Sequence, residues 1–229
     1  MANRCQLYYV TDRTQFRGDE QERRRALLQK ITEAAHAGVD YIQLREKDLS
    51  ARDLEALATE AVAALRSLPP TTADREKNIS SRTRLLINSR ADVALAAHAD
   101  GVHLRADDIP PSAIRKLLDL TAHRPPATDH FFIAASCHSI EDVVRAQSEA
   151  ADFAVFAPVF GKHQSPASQP TGLTALQEAC RAKIPVLALG GITLNNAESC
   201  LRAGAAGIAA IRLFQHNKIE EVVRALRAL

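Results

Sequence analysis

The sequence predicts an α/β fold, a single (β/α)8 or TIM barrel. Short apolar or β-branched runs alternate with longer amphipathic stretches, the alternation occurs eight times, and polar residues gather where the runs end. Eight parallel units close without an exposed edge, whereas an open doubly wound sheet usually stops at about five or six strands. The 229 residues lie in the size range of one such barrel, so residues 1–229 are expected to form one domain.

Each unit is read from a strand-like run and the helical spacing behind it. The first pairs Leu7–Thr11 with Gln21–Ala37, and the second pairs Asp40–Arg45 with Ala51–Leu65. The third pairs Arg84–Asn88 with Arg90–Ala97; before it, residues 69–82 are polar and carry two prolines, as in a surface excursion. The fourth and fifth pair Gly101–Leu104 with Pro111–Asp119 and Phe132–Ser136 with Ile140–Glu149. The sixth pairs Phe153–Pro158 with Leu173–Arg181, and residues 161–170 between them form a candidate active-site loop. Pro185–Gly190 with Leu194–Ala203 and Gly207–Arg212 with Glu220–Leu229 complete the eight.

Composition narrows the function. Hydrophobic residues are 46% and charged residues 24%, a mixture that buries a large core. A net charge of +2, with its cations scattered, gives no basic stripe for nucleic acid. No apolar run approaches the roughly 20 residues that span a bilayer, and no signal-like segment precedes Asp12, so a cytoplasmic protein without a membrane partner is expected. Cys5, Cys137, Cys180 and Cys200 lack metal or redox spacing and read as reduced thiols, with Cys137 singled out by its place between Ser136 and His138.

A barrel gathers the carboxyl ends of its strands around one mouth, which makes neighbours of residues far apart in sequence. Alternation puts Gln43, Arg45 and Lys47 on one face if the strand stays extended; two cations there suit a phosphate or diphosphate, and a Glu46-paired basic end is the plainer alternative. Gly190 and Gly191 end the seventh strand and Arg212 the eighth, where barrels commonly hold phosphate on backbone amides; a tight turn would equally demand the glycines. His138, beside Ser136 at the end of the fifth strand, is the natural proton carrier, or else a structural hydrogen-bonding residue. His103 reads as structural. Asp107 and Asp108 suit either Mg²⁺ or the start of a helix before Pro110 and Pro111.

The segments YYVTDR, YIQLREK, LLINSRADVALAAHADGVHL, SCHSIEDV, DFAVFAPVF, PVLALGGIT and AGAAGIAAIR, in this order, resemble the thiamine phosphate synthase and TenI family over nearly the whole chain. The resemblance implies thiamine biosynthesis and a thiazole phosphate held near Gly190, Gly191, Ile211 and Arg212. It implies that Gln43, Arg45, Lys47 and Asn88 meet a pyrimidine diphosphate, and that Asp108 is a magnesium carboxylate if Mg²⁺ binds. Two departures stand out. Ser89 replaces the aspartate that supplies the second metal carboxylate, and the threonine-rich loop becomes Phe160-Gly161-Lys162-His163-Gln164-Ser165-Pro166, which leaves Lys162 as a candidate anion ligand. Both departures lean toward a TenI-type thiazole tautomerase that needs no cofactor, with His138 as acid and base and Ser136 beside it. The alternatives are thiamine phosphate synthase with Mg²⁺, and a non-catalytic binder of thiazole or thiamine phosphate. Among macromolecular partners only a homo-oligomer is entertained, as the commonest soluble assembly.

Overall fold

A computed structural model of the chain describes residues 4–69, 82–121, 130–161 and 169–229. The expected excursion at 69–82 and the expected loop at 161–170 lie, apart from their end residues, outside the described residues. Eight strands, β1 (Gln6–Val10), β2 (Tyr41–Leu44), β3 (Arg84–Asn88), β4 (Gly101–Leu104), β5 (Phe132–Cys137), β6 (Phe153–Phe156), β7 (Val186–Ala188) and β8 (Gly207–Ala210), pair in sequence order. Every pairing is parallel, and β8 returns to β1 through Gln6↔Gly207 and Tyr9↔Ala210, so the barrel is closed. Around it lie α1 (Glu20–Ala37), α2 (Ala51–Ser67), α3 (Ala91–Ala96), α4 (Pro111–Thr121), α5 (Ile140–Ser148), α6 (Gly172–Ala179), α7 (Leu194–Arg202), a short α8 (Arg212–Gln215) and α9 (Ile219–Arg227).

The period of two divides each strand between two cores. Leu7, Ile42, Leu85 and Ile133 face outward and pack with helix residues such as Ile31 and Leu57. Tyr8, Leu86, Ala134, Phe153, Val155, Leu187 and Ala209 form the interior cluster, with Tyr41, Phe132 and Leu189 against it. Its aromatic rings meet at 5.5 Å (Tyr8 with Phe153) and 4.8 Å (Tyr41 with Phe153), so the interior is filled. Two residues beyond Tyr41, Leu86, Gly101 and Ala134 stand Gln43, Asn88, His103 and Ser136. The same inward parity therefore lays a polar layer on top of the apolar one.

The opposite end of the barrel repeats one device. Asp40, Asp100 and Asp152 directly precede β2, β4 and β6, and each accepts an amide of the preceding strand: Leu7 at 2.7 Å, Leu85 at 2.8 Å and Ile133 at 2.6 Å. Each carboxylate is also held by an arginine: Arg227 at 2.7 Å, Arg82 at 3.0 Å and Arg115 at 2.6 Å. Before β8 the equivalent position is Ala206.

Five strands stop short of their expected ends, β1 at Val10 and β2 at Leu44 by one residue, and β6 at Phe156, β7 at Ala188 and β8 at Ala210 by two. In each case the next residues turn toward the mouth; a 3₁₀ turn at Arg13–Gln15 and the short α8 do the same, and neither was expected. Helix ends are set locally. Asp19 and Glu22 form a capping box on α1, which ends at Gly38, and Ser139 and Asp142 form another on α5. No helix among the described residues is long and apolar enough to cross a membrane.

Candidate active site

Strand β1 runs into Thr11, Asp12 and Arg13, and β2 into Arg45 and Glu46. Thr11 donates to Glu46 at 2.5 Å, Arg13 reaches Glu46 at 3.2 Å, and Arg13 grips Asp48 through both terminal nitrogens at 2.6 and 2.9 Å. Burial raises the Glu46 carboxyl above its usual range, against the hydrogen bonds from Thr11 and Arg13. Glu46 is buried and held by Arg13, itself a buried residue that the sequence did not single out.

Gln43 and Arg45 keep the inward parity. Gln43 is buried and donates to Asn88 Oδ1 at 2.8 Å; Asn88 in turn donates to Ser89 Oγ at 3.2 Å. Among the described residues, no carboxylate lies within ion-pair distance of the half-buried Arg45 guanidinium; burial lowers its pKa from the ordinary value, against the opposing pull of the Asp12 and Glu46 charges. Lys47 does not continue this face. The strand has ended at Leu44, and Lys47 sits exposed in the following turn.

The interior polar layer continues with His103. Its Nδ1 is 2.9 Å from the Tyr8 hydroxyl and its Nε2 is 2.8 Å from Ser136 Oγ. Burial, helped by the nearby Arg45 cation, pushes the imidazole down to about 3, so it is neutral at physiological pH. His138 is a different kind of histidine. It is exposed just before the Ser139 cap of α5, its backbone amide donates to Asp142 at 2.9 Å, and its Nδ1 lies 2.7 Å from the Ala157 carbonyl. A carbonyl only accepts, so Nδ1 carries a proton, and in the neutral ring the lone pair falls on Nε2.

The turn after β7 holds Gly190 and Gly191 at φ 102° and 63°. A Cβ would stand 2.7 Å from Pro158 Cα at the first and 2.8 Å from Phe160 Cβ at the second, so the turn admits only glycine. Their carbonyls are taken by Phe160 N and Asn196 Nδ2, both at 3.0 Å. After β8, Ile211 caps α8 and the exposed Arg212 is its first residue; the Phe214 and Gln215 amides bond the Ile211 carbonyl at 3.2 and 2.9 Å, which leaves the Arg212 and Leu213 amides without an intrahelical acceptor. Gln215 latches this end to β1: it accepts from Tyr9 hydroxyl at 3.0 Å and Asp12 N at 3.2 Å, and donates to Asp12 O at 2.6 Å.

Asp108 accepts the Arg105 amide at 2.7 Å and faces the Arg105 side chain at 3.4 Å, ahead of α4. With Ser89 opposite, the described residues include no group of three or more His, Cys, Asp or Glu able to hold a metal. They do not fit a preformed Mg²⁺ centre. A cavity of about 210 Å³ opens beside Ser136, bordered also by Leu104, Asp108, Ala135, Arg145 and Glu149. Cys137 is buried, and burial pushes its thiol up to about 12, so it is no nucleophile. The four cysteines are unpaired thiols. Lys162 lies outside the described residues.

The fold and this mouth define a (β/α)8-barrel enzyme with its candidate site at the carboxyl ends of the strands. The profile of the thiamine monophosphate synthase family matches residues 7–214. The chain belongs to that family. It is 38% identical over 207 residues to a thiamine-phosphate synthase of Methanoculleus marisnigri, covering 90% of this chain and 85% of the relative. A thiamine-phosphate synthase of Roseiflexus sp. is 36% identical over 207 residues, covering 90% and 76%. Among solved structures, the thiamine phosphate pyrophosphorylase of Pyrococcus furiosus superposes with a TM-score of 0.73 at 27% identity, covering 99% of this chain and 95% of that one.

Proposed function

We propose that the chain is a thiamine phosphate synthase, joining a hydroxymethylpyrimidine diphosphate to a thiazole phosphate. In that reaction the bond from the pyrimidine methylene carbon to the diphosphate oxygen breaks, a bond from the same carbon to the thiazole nitrogen forms, and diphosphate leaves. The observation that carries this reading is Arg45, a half-buried cation at the mouth with no carboxylate within ion-pair distance among the described residues. The Asp12 and Glu46 carboxylates act on this guanidinium only from beyond ion-pair distance, which leaves its donors to a substrate anion. The turn at Gly190 and Gly191 and the start of α8 at Ile211 and Arg212 offer a second anion position on the strands where barrels often bind phosphate. Two separate anion positions suit two phosphorylated substrates. The two relatives described above, both thiamine-phosphate synthases, point the same way and away from the tautomerase that the sequence departures suggest.

On this reading Gln43 and Asn88, locked to each other, orient the pyrimidine, while Arg45 meets its diphosphate. Asp108 would be the carboxylate to meet a Mg²⁺ carried by the diphosphate, and the ion would supply charge neutralisation of the leaving group. Purified protein given both substrates and Mg²⁺ forms thiamine phosphate and diphosphate, and Arg45→Ala loses at least about a hundredfold in kcat/KM. Absence of product with authentic substrates overturns the reading.

One observation favours thiazole tautomerisation as a second reading. The Ala157 carbonyl fixes the His138 proton on Nδ1 and leaves Nε2 as an exposed base. Under it, the protein converts the non-aromatic thiazole phosphate carboxylate tautomer without pyrimidine, and His138→Ala stops the conversion.

A further inference from the structure

Tyr8, His103 and Ser136 lie on β1, β4 and β5 and form one hydrogen-bonded chain from the filled interior to the mouth. The Tyr8 ring is wholly buried among Tyr41, Phe153 and the His103 ring. Its hydroxyl has one hydrogen-bonding neighbour among the described residues, His103 Nδ1. A phenol keeps its proton in such a place, and a buried donor needs an acceptor. The arrangement that satisfies every group has Tyr8 donating to Nδ1. Nδ1 is then bare, the imidazole proton sits on Nε2, and Nε2 donates to Ser136 Oγ. With one lone pair of Oγ so occupied, the serine proton is turned away from His103 toward the mouth. The reverse tautomer would leave the phenolic proton facing an apolar, aromatic interior.

We propose that Tyr8 and His103 are positioning residues that fix Ser136 as a hydrogen-bond donor into the mouth, aimed at an acceptor atom of the substrate such as a phosphate oxygen. Ser136 alone has three rotamers and a freely turning hydroxyl; the chain behind it selects one donor direction before substrate arrives. The Ser136 hydroxyl and the Arg45 guanidinium then act as separate donors, the first supplied by a neutral relay and the second by charge. This rests on the coupling reading above for its kinetic consequences, and on geometry alone for the tautomer.

The test has two arms. In protein labelled with ¹⁵N-histidine, the His103 signals, assigned by their loss in His103→Gln, show Nδ1 without a proton and Nε2 with one. A proton on Nδ1 overturns the proposal whether or not the protein makes thiamine phosphate. In the coupling assay, Tyr8→Phe, which removes only the hydroxyl, lowers kcat by about tenfold with KM for thiazole phosphate unchanged. Ser136→Ala lowers kcat at least as far, and the double variant falls no further than Ser136→Ala. Multiplicative losses in the double variant, or a Tyr8→Phe enzyme with unchanged kcat, would show that the phenol serves packing only. Failure of every variant and of the parent to couple the substrates refutes the assigned reaction, and the nitrogen signals then decide the relay by themselves.

Discussion

The two histidines show how far a residue's role depends on which way its strand turns it. His103 points into the barrel and is held neutral, whereas His138, just past a strand end, is exposed with one nitrogen tied to a carbonyl. The first carries a pH prediction with a definite sign. Unfolded, His103 takes up a proton below its ordinary 6.5; folded, it refuses one until about 3. Between those values the unfolded state binds more protons, so this group's contribution to stability is complete above 6.5 and is lost as pH falls through that window. Urea titrations of the parent should lose up to about 1.4 kcal/mol per pH unit more than His103→Gln across it. An identical pH dependence in the two proteins would refute the buried neutral imidazole. Ser89 carries the second prediction at this scale. Its φ of 59° is uncommon for serine and better tolerated by aspartate. Ser89→Asp should therefore fold with unchanged or slightly raised stability while tightening Mg²⁺ roughly tenfold or more, read by calorimetry in the presence of diphosphate.

At the scale of elements, the strands were legible because alternation is a property of the chain itself: β3 and β4 fall on the expected residues, and the others within one or two. Their carboxyl ends were less so. Ala157, Gly190 and Ile211 continue an apolar pattern, and only the closing of the barrel turns them into the mouth, with Lys47 carried out of line in the same way. The Gln43 and Asn88 pairing, like the Tyr8, His103 and Ser136 chain, needed a register between strands that periodicity does not contain; inward parity was the available signal. The turn after β7 yields a prediction of its own. Gly190→Ala puts a methyl against Pro158 in a left-handed backbone, so it should cost about 1–3 kcal/mol in stability. It should also raise KM for thiazole phosphate several-fold, beyond any loss of folded protein. A KM equal to that of the parent would remove this turn from the proposed phosphate position.

The whole molecule separates its two ends by purpose. The mouth collects the polar layer at the strand ends, and the opposite rim collects aspartates that each accept both a strand amide and an arginine. Those aspartates escaped sequence analysis because an acidic residue in a tight connection looks like an ordinary turn former. The pattern was nevertheless there, as Val39-Asp40, Ala99-Asp100 and Ala151-Asp152 each directly before an even-numbered strand. Asp100→Ala leaves the Leu85 amide and Arg82 without their acceptor at the closed rim and should cost about 2–4 kcal/mol, measured by denaturant unfolding. Its kcat/KM, per folded molecule, should match the parent; a marked fall would mean that the two ends are coupled.

The Gln215 latch joins residues separated by more than two hundred positions, Tyr9 and Asp12 on one side and the chain's penultimate helix on the other. Ordering that contact closes a loop of about two hundred residues, an entropically demanding join. During synthesis at the ribosome, Asp12 can be seated only after residue 215 has emerged. A nascent chain with seven strands already made thus still lacks a finished mouth, and competence to bind at this site arrives in a single late event.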